Sequence, residues 1–257
     1  MSVSKPTVLL EHYLKQLKLP TMLREYAKLA SLCQSERADY QTFLLRLCER
    51  EVHDRELQVA ERRVKTAKFP VVKTLDTFNF QAQPSINQEL IRELIRGEYM
   101  DRCENVLLIG NSGTGKSHLA TGLAFAACQQ GRRVRFFTAT GLVTQLLEER
   151  QLERFQKQLE RLQLIVLDEL GYVLFSKTGA ELLFEVVSRA YERTSLIVTT
   201  NIPFEVWTEV IGTERLTGAL LDRLTHRIHI LEANGESYRL RESKGRLKQR
   251  QSTRKRK

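Results

Sequence analysis

A chain of 257 residues, 42% hydrophobic and 28% charged, is long enough for one large domain with a small appendage and apolar enough for a real core. Its 41 Lys and Arg against 31 Asp and Glu leave a formal charge of +10, which favours a polyanionic partner, nucleic acid before an anionic membrane surface. No signal peptide or membrane-span pattern is present, and the four scattered cysteines suggest neither a disulfide framework nor a zinc site, so a reduced, cytoplasmic protein is expected.

The first seventy residues contain no glycine and read as helix. Apolar residues recur at Val8, Leu9, Leu14 and Leu17, then at Met22, Leu23, Tyr26, Leu29 and Ala30, with Pro20 near the first turn of the second helix. A longer helical pattern spans about Tyr40 to Lys68, its second half dense in charge (EREVHDRELQVAERRVK), as suits an exposed or DNA-facing helix. A small all-helical domain is expected over 1–70, serving DNA or a partner.

Around Phe69-Pro70 the character changes. Residues 71–103 read as a connector and docking helix, with Phe78 and Phe80 in LDTFNFQAQPS. From 104 to 240 the pattern alternates strand and helix. Strands are predicted at 105–109, 133–138, 163–168, 195–200 and 227–231, and helices near 116–130, 141–161, 177–193 and 214–225. Short apolar strands between amphipathic helices predict an α/β sandwich with a central parallel sheet covered on both faces. From Arg239 to Lys257 there are ten Lys or Arg and one Glu, about +9 in net charge. The stretch 241–257 reads as a disordered basic tail, able to hold phosphate backbones without reading sequence.

Three motifs carry chemistry. LLIGNSGTGKSHLA (107–120) contains G-x-x-x-x-G-K-[ST] between an apolar strand and a helix, the setting in which backbone N–H groups cradle a phosphate chain. Gly110, Asn111, Ser112, Gly113, Thr114, Gly115, Lys116, Ser117 and His118 are the candidate nucleotide contacts. Lys116 is placed against the β- and γ-phosphates and the Ser117 hydroxyl on Mg²⁺. LIVLDEL (164–170) ends a strand in two carboxylates: Asp168 is the candidate metal holder and Glu169 the candidate general base for water. SLIVTTN (195–201) ends in polar residues, and Asn201 is the candidate sensor of the γ-phosphate; an ordinary Asn turn before Pro203 is the plain alternative.

In this order and on successive strands, the three motifs resemble the AAA+ ATPases. That resemblance implies the P-loop three-layer α-β-α fold, ATP and Mg²⁺ as cofactors, self-assembly, and an arginine supplied to the neighbouring subunit. GALLDRLTHR (218–227) looks like its source, with Arg223 preferred over Arg227 and Arg215; a helix-surface arginine paired with Asp222 or Glu214 is the alternative.

The finer resemblance is to the IstB-like transposition helpers of the initiator and helicase-loader branch. It is carried by TLDTFNF, GNSGTGKSHLA, RVRFFTATGLVTQL, LIVLDELGY and ALLDRLTHR over nearly the whole chain. It implies largely sequence-independent binding of double-stranded DNA, assembly of a homo-oligomer with ATP and DNA, and a cognate transposase as partner. For the 141–161 helix, with Arg150, Arg154, Lys157 and Arg161 among glutamates, it raises DNA contact beside the ordinary reading of a solvated face. The rivals are a DnaC-like loader of a replicative helicase and, from another class, a small-molecule P-loop kinase.

Overall fold

The computed structural model describes residues 5–148 and 152–238; the basic run beyond 238, Arg150 and residues 149–151 lie outside the described residues. The chain divides into two compact units, Met1–Arg62 and Arg63–Lys257, so the division falls inside one long helix and not at residue 70. Among the described residues no helix is long and apolar enough to cross a membrane.

The first unit consists of α1 (Lys5–Gln16), α2 (Pro20–Glu36) and most of α3 (Tyr40–Ala67). Leu14, Leu29, Cys33 and Leu47 are its buried apolar residues, a small core for a unit of this size. The start of α2 shows how it is locked. Leu19 at the N-cap position has no side-chain acceptor. Pro20 has no N–H to satisfy, Leu23 N–H bonds to Leu19 O at 3.0 Å, and Thr21 and Met22 N–H both donate to Glu51 Oε2 at 2.9 Å. A buried carboxylate from α3 thus caps α2 across 30 residues of sequence and neutralises its positive end. Arg55 Nε, at 2.8 Å from the other oxygen, pairs its charge.

The second unit opens with short 3₁₀ turns at Leu75–Thr77 and Phe80–Ala82, then α4 (Gln88–Ile95) and α5 (Glu98–Asp101). Asn87 caps α4 by accepting Glu89 and Leu90 N–H. There follow β1 (Asn105–Gly110), α6 (Lys116–Gln129), β2 (Val134–Thr138), α7 (Ala139–Glu148), α8 (Leu152–Leu159), β3 (Leu164–Leu170) and α9 (Lys177–Ala190). β4 (Ser195–Thr200), α10 (Trp207–Ile211), α11 (Glu214–Thr225) and β5 (Ile228–Ala233) complete it. The single helix expected over 141–161 appears as α7 and α8. α10 is an addition to the sequence reading.

All strand pairs are parallel, in the order β2-β3-β4-β1-β5. Alternation along each strand divides the core in two. Val106, Leu108, Leu164 and Val166 face one way, onto Leu119, Leu123 and Ala127 of α6. Leu107, Ile165 and Leu167 face the other, onto Leu142 of α7, Leu183 of α9 and Trp207. This is the three-layer sandwich expected from the alternating pattern. The chain leaves β1 for β2 at the far edge and returns through β3 to β4 beside β1. A crevice therefore opens at the carboxyl ends of the strands where the winding reverses, the place ligands occupy in open α/β sheets.

Candidate functional site

The loop after β1 lies at that crevice. Gly110 has φ 145°, and a Cβ there would stand 2.2 Å from Ala233 O, so the loop can pass β5 only without a side chain. Gly115, at φ 98°, presses on the ring of Phe78 and starts α6, whose first-turn N–H groups face out. Lys116 is buried along its stem and donates from Nζ to Gly110 O and Asn111 O, both at 2.7 Å. The ammonium is held at the loop by two carbonyls, acceptors that a phosphate oxygen can replace. Thr114 Oγ1 closes the loop on Asn111 O at 2.8 Å.

Across the crevice, β3 and β4 present the polar residues. The Asp168 carboxylate is buried and accepts from Thr199 Oγ1 at 2.5 Å. Glu169 is exposed to the crevice and has φ 61°, a left-handed conformation that a non-glycine residue adopts only when its surroundings hold it. Its N–H donates to the same Thr199 hydroxyl at 2.9 Å. β3 thus runs on to Leu170 beyond the carboxylate pair instead of ending there. Asn201 is exposed at the rim, its place set by the Thr200 hydroxyl, which accepts Ile202 N–H at 3.2 Å.

The cleft has a volume of ≈ 210 Å³ and brings together Ser112 to His118, Glu169 and Asn201. Its remaining walls are residues the sequence reading did not assign: Thr199 and Thr200 below, Tyr172 beside Glu169, and Lys73, Thr77, Phe78, Asn79 and Gln83 from the connector. Tyr238 closes the far side. Its N–H donates to Gly113 O at 2.9 Å, and Gln83 Nε2 donates to Glu236 O at 2.8 Å. The segment after β5 and the connector therefore meet over the phosphate loop. One signal for Thr199 was available: two threonines end a strand that is buried at all six positions, and buried hydroxyls need partners.

His118 has a structural task. Its Nε2 lies 2.9 Å from Thr74 O, an oxygen that only accepts, so the ring carries its proton there. Phe78 packs edge-on against it at 5.2 Å between ring centres. Burial pushes the His118 pKa below its ordinary value, partly opposed by the Thr74 carbonyl, with Lys73 adding to the downward push.

Arg223 stands apart from this cleft. It stacks over Phe184 at 4.8 Å and donates to Ala219 O at 2.8 Å. With Arg227 it lines a second depression beside Asn105 and Leu196, at the amino ends of β1 and β4. Arg215 is exposed near the start of α11. None of the three reaches the phosphate loop of its own subunit by any side-chain contact among the described residues.

The Ser117 hydroxyl in the cleft and the Asp168 carboxylate buried behind Thr199 are oxygen donors of the type that hold a hard divalent cation with the help of several waters. With Lys116, Glu169 and outward-facing helix N–H groups, the cleft has the parts to bind a nucleoside triphosphate and to activate water beside it.

Comparison with known proteins points to ATP as the nucleotide. The family model described as IstB-like ATP binding protein matches residues 12–246. The protein named for ATP binding in insertion sequence IS5376 of Geobacillus stearothermophilus is 37% identical over 238 residues, covering 91% of this chain and 95% of its own. Its counterpart in insertion sequence IS21 of Pseudomonas aeruginosa is also 37% identical, with 91% and 90% covered. Among solved structures, the DnaC helicase loader superposes with a TM-score of 0.54 at 24% identity, over 63% of this chain and 96% of that one. The replication initiator DnaA bound to AMPPCP and single-stranded DNA gives 0.51 at 19% identity, over 68% and 54%.

Proposed function

Because the chain belongs to the IstB-like ATP-binding protein family, with an AAA+ fold of the DnaC and DnaA kind, we propose that it hydrolyses ATP while assembled on double-stranded DNA and thereby assists the transposase of an insertion sequence. The observation that carries the reading is one cleft lined by a phosphate loop with a poised lysine, by Glu169 and by an exposed asparagine, with the Asp168 carboxylate buried behind its wall residue Thr199.

In this mechanism the loop N–H groups from Asn111 to Ser117 and the start of α6 take the phosphate chain. Lys116 exchanges its two carbonyls for β- and γ-phosphate oxygens. The Ser117 hydroxyl, and Asp168 through water, would hold Mg²⁺, which would supply neutralisation of charge developing on the phosphates. Glu169 takes the proton of the attacking water, and Asn201 orients that water and the γ-phosphate. Arg223, facing away from its own cleft, serves the γ-phosphate of the next subunit, so full activity requires assembly. The apolar surface of Phe78 and Tyr238 covers the rest of the nucleotide.

DNA contact rests on the ten Lys and Arg between 239 and 257 and on the charged second half of α3. Such contacts are salt-sensitive and tolerate any sequence. Transposase as the partner, in preference to a replicative helicase, is supported by relatives named for insertion sequences. Against a small-molecule kinase stands the second carboxylate, which suits activation of water.

The test is ATP turnover by the purified chain with and without non-specific duplex DNA, at two salt concentrations, beside Glu169→Gln. Salt-sensitive stimulation, together with large ATP-dependent complexes formed on DNA by the variant, is expected. Turnover that ignores DNA in a chain that stays monomeric would refute the assembly reading.

A further inference from the structure

The conformation of Glu169 follows from a break in the ladder between β3 and β4. Leu167 pairs with Val198 and Leu170 with Thr200, so three steps along β3 match two along β4. β3 therefore holds one extra residue, a bulge at Asp168–Glu169. Regular alternation would carry Glu169 into the core that holds Leu167 and move Leu170 to the opposite face. Instead Leu170 rejoins the Leu167 core, and Glu169 turns out into the cleft. The extra residue leaves the Glu169 N–H without a ladder carbonyl, and the Thr199 hydroxyl accepts it. The one proton of that hydroxyl goes to Asp168 Oδ1. Thr199 is itself buried, so neither bond has water to replace it.

We propose that Thr199 is the positioning residue of the hydrolysis site: one hydroxyl both orients the Asp168 carboxylate and holds the Glu169 main chain in the bulge that presents its side chain to the cleft. The inference rests on reading the cleft as an ATPase site and deepens it. Because a single side chain fixes the candidate metal holder and the candidate base together, a shift of one is passed to the other. Thr199 forms part of the cleft wall with its hydroxyl engaged by Asp168 and by the Glu169 N–H, so it acts through those two residues. Its loss acts on turnover through Glu169 and Asp168 and leaves the phosphate loop, read as the nucleotide holder, in place.

Valine matches the shape of threonine but supplies neither donor nor acceptor, whereas serine supplies both. The experiment compares wild type, Thr199→Val, Thr199→Ser and Glu169→Gln in the full chain. It measures affinity for a fluorescent ATP analogue, kcat and KM for ATP, and thermal melting. Thr199→Val is expected to keep nucleotide affinity and KM within about threefold while kcat falls about 10- to 100-fold, the loss of hydrogen bonding to a charged group. Thr199→Ser is expected to restore most of kcat. Should the valine chain fail to fold, Thr199→Ala carries the same expectation.

Wild-type kcat in the valine chain, or equal losses with serine and valine, would overturn the positioning role. All four chains are assayed with non-specific duplex DNA present; a wild-type chain that there binds ATP without turning it over, like Glu169→Gln, would overturn the ATPase reading itself and this role with it.

Discussion

Replacing Glu51 with alanine tests whether a carboxylate 30 residues away holds the start of α2. The substitution removes the acceptor of Thr21 and Met22 N–H, and Thr21 is buried, so its N–H has no solvent to turn to. Each hydrogen bond to a charged acceptor contributes about 1.5–3 kcal/mol, and an anion at a partly buried helix N-terminus adds up to about 2 kcal/mol. Arg55 also loses the partner of its Nε. These terms overlap, and the Arg55 guanidinium left behind is half exposed, so about 2–4 kcal/mol, chiefly the hydrogen bonds to a charged acceptor, is the expected loss. Against a total stability of about 5–15 kcal/mol for a whole domain, that loss opens a unit with so small a core for a large fraction of the time. Glu51→Gln keeps one acceptor oxygen and should cost about half as much. Amide hydrogen exchange read by mass spectrometry on the full chain separates the two units. Residues 20–36 should lose protection in the order alanine, glutamine, wild type, while 105–130 stay unchanged. Wild-type exchange across 20–36 in the alanine chain would refute the reasoning.

Gly115→Ala should abolish the thermal shift caused by ATP, because the residue sits at φ 98° and its Cβ would come within 2.6 Å of Phe78; adding Phe78→Ala should relieve the clash but not the torsional strain of about 1–3 kcal/mol. Tyr99 is buried with its hydroxyl unpartnered among the described residues; Tyr99→Phe should leave stability unchanged or raise the melting temperature by about 2–4 °C for each kcal/mol recovered, and a marked drop in melting temperature would show that the hydroxyl is satisfied. His118 has its pKa lowered by burial, so between the ordinary histidine value and the lowered one the unfolded chain binds more protons than the folded chain. Stability should therefore fall as pH drops through that window and level off below it; His118→Gln should show a smaller acid-side slope in melting temperature against pH, and an unchanged slope would count against the assignment.

The readable part of this molecule was whatever lies within one stretch of chain. The phosphate loop occupies eight consecutive residues, the carboxylate pair follows an apolar strand, and alternation marks the strands, so each was visible without a partner. The unreadable part joins elements far apart. Thr199 meets Asp168 across 31 residues and Gln83 meets Glu236 across 153, and no local pattern encodes either meeting. Glu169 is intermediate. As a residue type it was legible, but its left-handed backbone was not, since nothing in LIVLDEL marks an inserted residue. His118 adds a second such meeting: its place in the motif was legible and it lines the cleft, but the bond from its ring to the Thr74 carbonyl, 44 residues away, was not.

The bond from Tyr238 N–H to Gly113 O has a mechanical side. Tyr238 directly precedes Arg239, the first of the basic residues, in the sequence. Force arriving at Tyr238 would pass to the loop through this main-chain bond, a lever arm only a few atoms long, and to the connector through the bond from Gln83 Nε2 to Glu236 O. A pull at Tyr238 is thus shared between the loop proposed to take phosphate and the connector that walls the same cleft.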